Sequence, residues 1–251
     1  MGGFRSSLIL FIMVFAILFF LEGMHRTRLF PTLLLAVALA GAVVVPFAKH
    51  LPPAVQRSMA FLPLPIDPLV RLDAEGSSEW RLSMWKALLP QVPQHLWLGK
   101  GLAFTQEDMA FAMSQTSLRP LSEDERESAL AGDYHNGPLS VIIPFGIWGM
   151  IVWIWFQVAS LRVLYRNFRY GDPGLHTVNA FLLAAYIGRS LMFWFIFGGF
   201  YSEVVQYAGL LGLSVSLNGG VARPALSPVN EGEAAKRVTN FLRQPRPAFG
   251  R

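Results

Sequence analysis

His135-Asn136-Gly137-Pro138-Leu139-Ser140-Val141-Ile142-Ile143-Pro144-Phe145-Gly146, continued by Ile147-Trp148-Gly149, marks the point where a long polar segment gives way to a long apolar one. From Asp133 to Arg162 the chain carries no charged residue. That is ample for one crossing, since a helix traverses the ~30 Å bilayer core in ~20 residues. The stretch therefore holds a titratable imidazole at a membrane surface.

Outward from this boundary the same alternation recurs. Ser6–Leu21, Leu29–Ala48, Asn136–Leu161, about His176–Phe197 and about Val204–Val221 are apolar runs separated by short charged segments. Ser6–Leu21 is short for a span, but a cleaved leader would need a stronger basic start than Arg5 alone. Gly198-Gly199 provides a tight turn that makes the last two runs a helical hairpin. The predicted fold is an all-α integral membrane protein with about five transmembrane helices and one large periplasmic loop containing short helices. Its parts are two spans in 1–48, the loop in 49–135, three spans in 136–221, and a disordered cytoplasmic tail in 222–251.

Composition agrees. The chain is 53% hydrophobic and 15% charged, against roughly 25% charged in soluble domains. Cysteine is absent, so neither disulfides nor thiolate ligands arise. The five histidines are scattered without i, i+4 pairing, and no His-Glu-x-x-His or Asp-x-Asp pattern occurs, so no metal site is supported. The net charge of +5 raises the question of nucleic acid, but the basic residues sit between apolar runs, where membrane topology accounts for them. Segments 22–28, 162–172 and 218–251 hold eleven Lys/Arg, whereas 49–133 has eight against eleven Asp/Glu. The positive-inside rule puts the first set in the cytoplasm, and the loop and the amino terminus outside.

A loop this long should fold over the membrane, because structureless connections beyond about 15 residues are uncommon. Leu51-Pro52-Pro53 and Leu62-Pro63-Leu64-Pro65 read as irregular or polyproline chain. From Ser78 to Leu89, Trp80, Met84, Trp85 and Leu88 share one helical face, and Pro90 ends or kinks the helix. Ser122-Glu123-Asp124-Glu125 is a capping box opening a short acidic helix that Gly132 would close, delivering the chain to Tyr134 and His135.

Two cations are placed for chemistry. Arg81 precedes Trp85 by one turn, so its guanidinium can pack along the indole. Arg189 lies inside the fourth span, nine residues before Gly198, roughly 13 Å below the outer surface at 1.5 Å per residue. A membrane arginine is costly and faces a cavity, an anion or a partner. It either snorkels or pairs with Glu203, or it binds phosphate, and the sequence leaves both open. Tyr134 and the tryptophans at 148, 153, 155 and 194 serve equally as interfacial aromatics.

Read as spacing, the first stretch is His-Asn, Leu four positions on and Gly eleven on. Fifty-four residues before His135 stands Arg81-x-x-x-Trp85-Lys-Ala-Leu, followed by Pro93 and Leu98-Gly99-Lys100-Gly101. In order and spacing this pattern, over about Ser78 to Val221, resembles the ligase-type membrane glycosyltransferases of the O-antigen ligase and polymerase family. The resemblance implies an enzyme of the bacterial inner membrane that uses no metal, nucleotide sugar or other cofactor. Such an enzyme passes a glycan from an undecaprenyl-pyrophosphate carrier at the outer face to an acceptor hydroxyl on lipid A-core, a growing polysaccharide or a protein. Carried onto this chain, Arg81 would neutralise the pyrophosphate bidentately. His135 would act as general base or hold the diphosphate, and Asn136 would orient the imidazole or the sugar. Trp85, Lys100, Tyr134 and Arg189 are further substrate-binding candidates.

Ligase and polymerase chemistry stay open on these residues. Family members usually have ten or more spans, so the chain is expected to be a carboxy-terminal portion that works with a separate amino-terminal membrane fragment. Two other classes stay open, each with a feature that counts against it. A transporter would show polar residues along several spans, yet Arg189 is nearly the only ionisable one. A non-catalytic assembly subunit would show long heptad helices, which are missing.

Overall fold

The computed structural model describes residues 4–101, 106, 109 and 134–224. Among these residues the fold is wholly helical, with no strand. The elements are α1 (Phe4–Leu21), α2 (Leu29–Val44), α3 (Pro53–Ser58), α4 (Pro68–Leu88), α5 (Gln91–His95), α6 (Gly137–Tyr170), α7 (His176–Leu191) and α8 (Phe200–Leu217). The capping box at Ser122–Glu125 and the closing Gly132 lie outside the described residues, as does most of the tail after Ala222.

Gly137–Tyr170 and Pro173–Ile196 are long and apolar enough to cross a membrane. Burial along α6 changes character at Gly146. Residues 137–147 are buried or half-buried throughout. Beyond them Met150, Trp153, Gln157, Ser160, Leu164 and Asn167 turn inward at helical spacing, while Trp148, Ile151, Val152, Ile154, Trp155 and Val158 are exposed. A bare apolar face of that extent would be a liability in water and is suited to lipid. The first turns of α6 are thus a buried plug, and the rest is a one-sided membrane helix.

α7 is the central helix and packs against α1, α6 and α8. Gly188 lets α1 approach, since a Cβ there would sit 2.9 Å from Val14, and small residues permit such close helix contacts in membranes. At the end of the bundle away from His135, Asn167, Asn179 and Asn218 tie the three carboxy-terminal helices together. Asn167 donates to Ser214 Oγ (3.0 Å) and accepts from the Ala222 N–H (2.8 Å). Asn179 and Asn218 exchange amide bonds of 3.0 and 2.8 Å. α2 buries none of its residues.

The segment between α2 and α6 has its own core, in which Trp80, Met84 and Leu88 of α4 pack on Tyr134, Leu139 and Ile143. The expected inward face of α4 is therefore present, with Trp85 half-buried beside it. The helix starts earlier than Ser78, at Pro68, because Asp67 caps it by accepting the Leu69 N–H at 2.8 Å and proline suits the first helical position. It ends just before Pro90, as expected. The proline-rich entry is not wholly irregular, since Pro53–Ser58 forms a short helix. Gln56 fastens the entry, donating to the Lys49 and Leu51 carbonyls (3.0 and 2.7 Å) and accepting from the Asp67 N–H (2.8 Å).

Candidate functional site

The site forms where the buried plug of α6 meets the end of α7. Two backbone features fix that meeting. Pro144 has no N–H to continue the helix. Gly146 stands at φ 65°, ψ −163°, a region essentially confined to glycine. The helical ladder breaks there, and the segment 96–101 takes it over. Ile147 donates to the Leu96 carbonyl at 2.6 Å, while Lys100 and Gly101 donate to the carbonyls of Ile143 and Pro144 at 2.7 and 3.0 Å. Both glycines of the clasp are required by contact. A Cβ on Gly99 would strike the Pro144 carbonyl, and one on Gly146 would lie 2.8 Å from the Gly99 nitrogen. Broken backbone near a bilayer survives only where protein satisfies it. The Gly-x-Gly and the glycine eleven residues after His135 are the two sides of this clasp.

Beyond Leu191, α7 continues as a π-helical turn, Met192–Ile196, and the chain then extends at Phe197. Such turns recur at functional sites. Phe193 is wedged between Gly137, where a Cβ would strike its carbonyl and ring, and Gly198, where a Cβ would lie 2.7 Å from the ring. That wedge explains the glycine of His-Asn-Gly. It also brings Phe197 beside the motif, and the Phe200 N–H donates to Ser140 Oγ at 3.0 Å to start α8.

His135 is 9% exposed and adopts a left-handed backbone, φ 50°. This conformation costs about 1–2 kcal/mol outside glycine, although histidine visits it more than most. Neighbouring side chains hold it. Its ring stacks on Phe197 (centroids 4.8 Å, 25°) and meets Trp80 edge-on at 5.3 Å. The Trp85 indole N–H donates to the Tyr134 carbonyl at 3.0 Å, pinning the preceding residue. Half-buried Arg81 lies over the Phe197 ring, 5.5 Å from its centroid. The predicted neighbours Arg81 and Trp85 thus do different work: the guanidinium reaches Phe197, and the indole anchors Tyr134.

Asn136 is engaged as the cap of α6, its Oδ1 accepting the Leu139 N–H at 3.1 Å. Lys100 stands in the clasp, its backbone N–H on the Ile143 carbonyl. Arg189 is paired with Glu203, Nη1 lying 3.2 and 3.3 Å from the two carboxylate oxygens. That is the pairing reading of this membrane arginine. Arg189, Glu203 and His135 line one cavity of about 220 Å³ at the amino-terminal ends of α1 and α8. The structure therefore gathers His135, Arg81, Trp85 and Tyr134 around Phe197, brings Arg189 to a cavity that His135 also lines, and places the Lys100 backbone in the clasp. Phe197 and Glu203 were not singled out as site residues from sequence, because an aromatic in an apolar run reads as lipid-facing.

These features define a helical membrane protein in which an arginine of α4 and the histidine just ahead of α6 meet on one aromatic ring. Residues 1–154 match the family model described as O-antigen ligase, more than half of the chain, and the chain belongs to that family. No curated protein and no solved structure matches. The match begins earlier than the motifs suggested and stops within α6. It includes Arg81, Lys100, His135 and Gly146, and leaves out Arg189, Phe197 and Glu203.

Proposed function

We propose that the protein transfers a glycan from an undecaprenyl-pyrophosphate carrier to an acceptor hydroxyl at the outer face of the bacterial inner membrane, in lipopolysaccharide or surface-polysaccharide assembly. The observation that carries this reading is the convergence of Arg81 and His135 on Phe197, from positions fifty-four residues apart. In this reading the Arg81 fork holds the diphosphate, and its charge offsets the negative charge that grows as the sugar C1–O bond breaks. The bond's electron pair leaves with undecaprenyl pyrophosphate. The acceptor oxygen bonds to C1, and its proton passes to the His135 imidazole. Trp85 and Tyr134 keep the imidazole in place, and Asn136 does so through the helix it caps.

A membrane crossing by all of α1, α2, α6, α7 and α8, with the site periplasmic, is part of the proposal. So is a separate membrane fragment packed on α2, which buries no residue of its own. Turnover by the purified chain, reconstituted alone with donor and acceptor, would remove that last element.

The main test is complementation of a deletion strain, read as glycan-bearing lipopolysaccharide or polysaccharide on intact cells. The wild-type chain should restore it. Arg81→Lys keeps the charge but loses the planar fork, and His135→Ala loses the base, so both should fail while inserting at normal levels. Restoration by both variants would show these residues to be structural.

A further inference from the structure

The cavity beneath His135 does not suit a diphosphate. Arg189 directs Nη1 to both oxygens of Glu203, so an anion entering there would meet a carboxylate with its counter-charge already committed. Yet the cavity is strongly polar for helices otherwise built of apolar residues. Ser202, Glu203 and Gln206 come from α8, at i, i+1 and i+4 and hence on neighbouring sides of that helix, and Ser6 and Ser7 face them from α1. Polar and ionic groups at membrane depth are expensive and mark sites where a polar ligand is handled.

The geometry points to a subsite for one neutral sugar ring of the acceptor, read through its adjacent hydroxyls. Carboxylate, carboxamide and guanidinium are planar groups that each present two hydrogen-bonding atoms side by side, which matches a pair of neighbouring hydroxyls. Glu203 accepts, Gln206 and the serines do both, and Arg189 donates. Leu10 and Met192 supply an apolar surface for the C–H face of a pyranose, beside Phe197, which also lines the cavity. At about 220 Å³ the space falls below the roughly 300–1,000 Å³ of drug-sized pockets and holds one ring, not an oligosaccharide. His135 lines the same cavity. A ring seated there presents a hydroxyl to the imidazole, and Arg81 stays with the diphosphate. This inference rests on the transfer reading above, since it assigns the partner of His135 in that reaction.

Binding can be measured apart from transfer. The full chain in membrane nanodiscs would be examined by saturation-transfer NMR against methyl α-glucoside, methyl α-galactoside and methyl N-acetyl-α-glucosaminide, with sodium pyrophosphate as competitor. At least one glycoside should receive saturation and resist displacement by pyrophosphate. Gln206→Leu and Ser202→Val, both at exposed positions that do not hold the bundle together, should weaken it about five- to tenfold each, as expected for one neutral hydrogen bond or slightly more. No saturation by correctly inserted protein would overturn the subsite, as would displacement by pyrophosphate or indifference to both substitutions. Those results would leave the transfer reading standing if transfer still required Arg81 and His135. Glycoside binding by a protein whose Arg81→Lys and His135→Ala variants transfer normally would instead remove the transfer reading.

Discussion

Phe197 is the residue on which the site turns, and its replacement by leucine is the most informative perturbation. The side chain is half-buried, and leucine keeps most of its apolar volume, so the folding cost of this partial truncation is about 1 kcal/mol. What leucine cannot supply is a ring face. The Arg81 contact at 5.5 Å is of a kind worth about 0.5–2 kcal/mol. The His135 stack at 4.8 Å adds about 0.5–1.5 kcal/mol. If both groups act in the transition state and are held by the ring, their combined loss of roughly 1–3.5 kcal/mol lowers the transfer rate about 5- to 400-fold. The assay is the initial rate of glycan transfer in membranes from the complemented deletion strain, normalised to inserted protein. Phe197→Tyr keeps the face and should return to within about threefold of the parent. A Leu variant within twofold of wild type, or a Tyr variant as slow as the Leu variant, would refute the role of the ring.

Gly146→Ala should be costlier for structure. It forces a side chain into a glycine-only region and 2.8 Å from the Gly99 nitrogen, and it strains three clasp hydrogen bonds. The expected destabilisation is about 2–4 kcal/mol, read as faster proteolysis of the 96–101 segment in membranes; unchanged cleavage would show the clasp to be incidental. For topology, the absence of cysteine allows Gln115→Cys and Asn240→Cys to be labelled singly. An impermeant thiol reagent on intact spheroplasts should modify the first and spare the second, and the reverse pattern would invert the orientation and remove the periplasmic site.

Much of the architecture could be read from charge and period. The runs at Ser6–Leu21 and Leu29–Ala48 became helices Phe4–Leu21 and Leu29–Val44, and the Trp80, Met84 and Leu88 face became the core against Tyr134, Leu139 and Ile143. The early start of α4 was also readable in principle, since Asp67-Pro68 is a cap followed by proline at the first helical position. The segment Arg71–Glu79 is polar enough that its helical period is hard to see. The site itself was half legible. His135 and Arg81 carry polarity into an unusual place, and polarity can be read locally. Their meeting point could not be, because Phe197 comes from a turn sixty-two residues beyond His135 and looks like any other aromatic at a membrane surface. The Gly-x-Gly was individually weak for the same reason: Gly99, demanded by the Pro144 backbone forty-five residues away in sequence, looks like a glycine that only makes a turn.

The division of the site between two stretches of chain has a consequence for specificity. Arg81 and His135 stand within the family-matched residues, on α4 and just ahead of α6, and in the proposed reaction they act on a diphosphate and a hydroxyl, features that any lipid-linked glycan transfer shares. Arg189, Phe197, Glu203 and Gln206 stand beyond residue 154, on the α7–α8 hairpin. The two are held together by contacts blind to substrate: the 96–101 clasp on the α6 kink, and Phe193 seated between Gly137 and Gly198. Such a joint lets the hairpin's polar face change without moving the reacting groups, because neither Gln206 nor Ser202 takes part in it. Acceptor choice would then be set by a handful of positions on the first two turns of α8. Exchanging those positions should alter which glycan is accepted while the dependence on Arg81 and His135 persists.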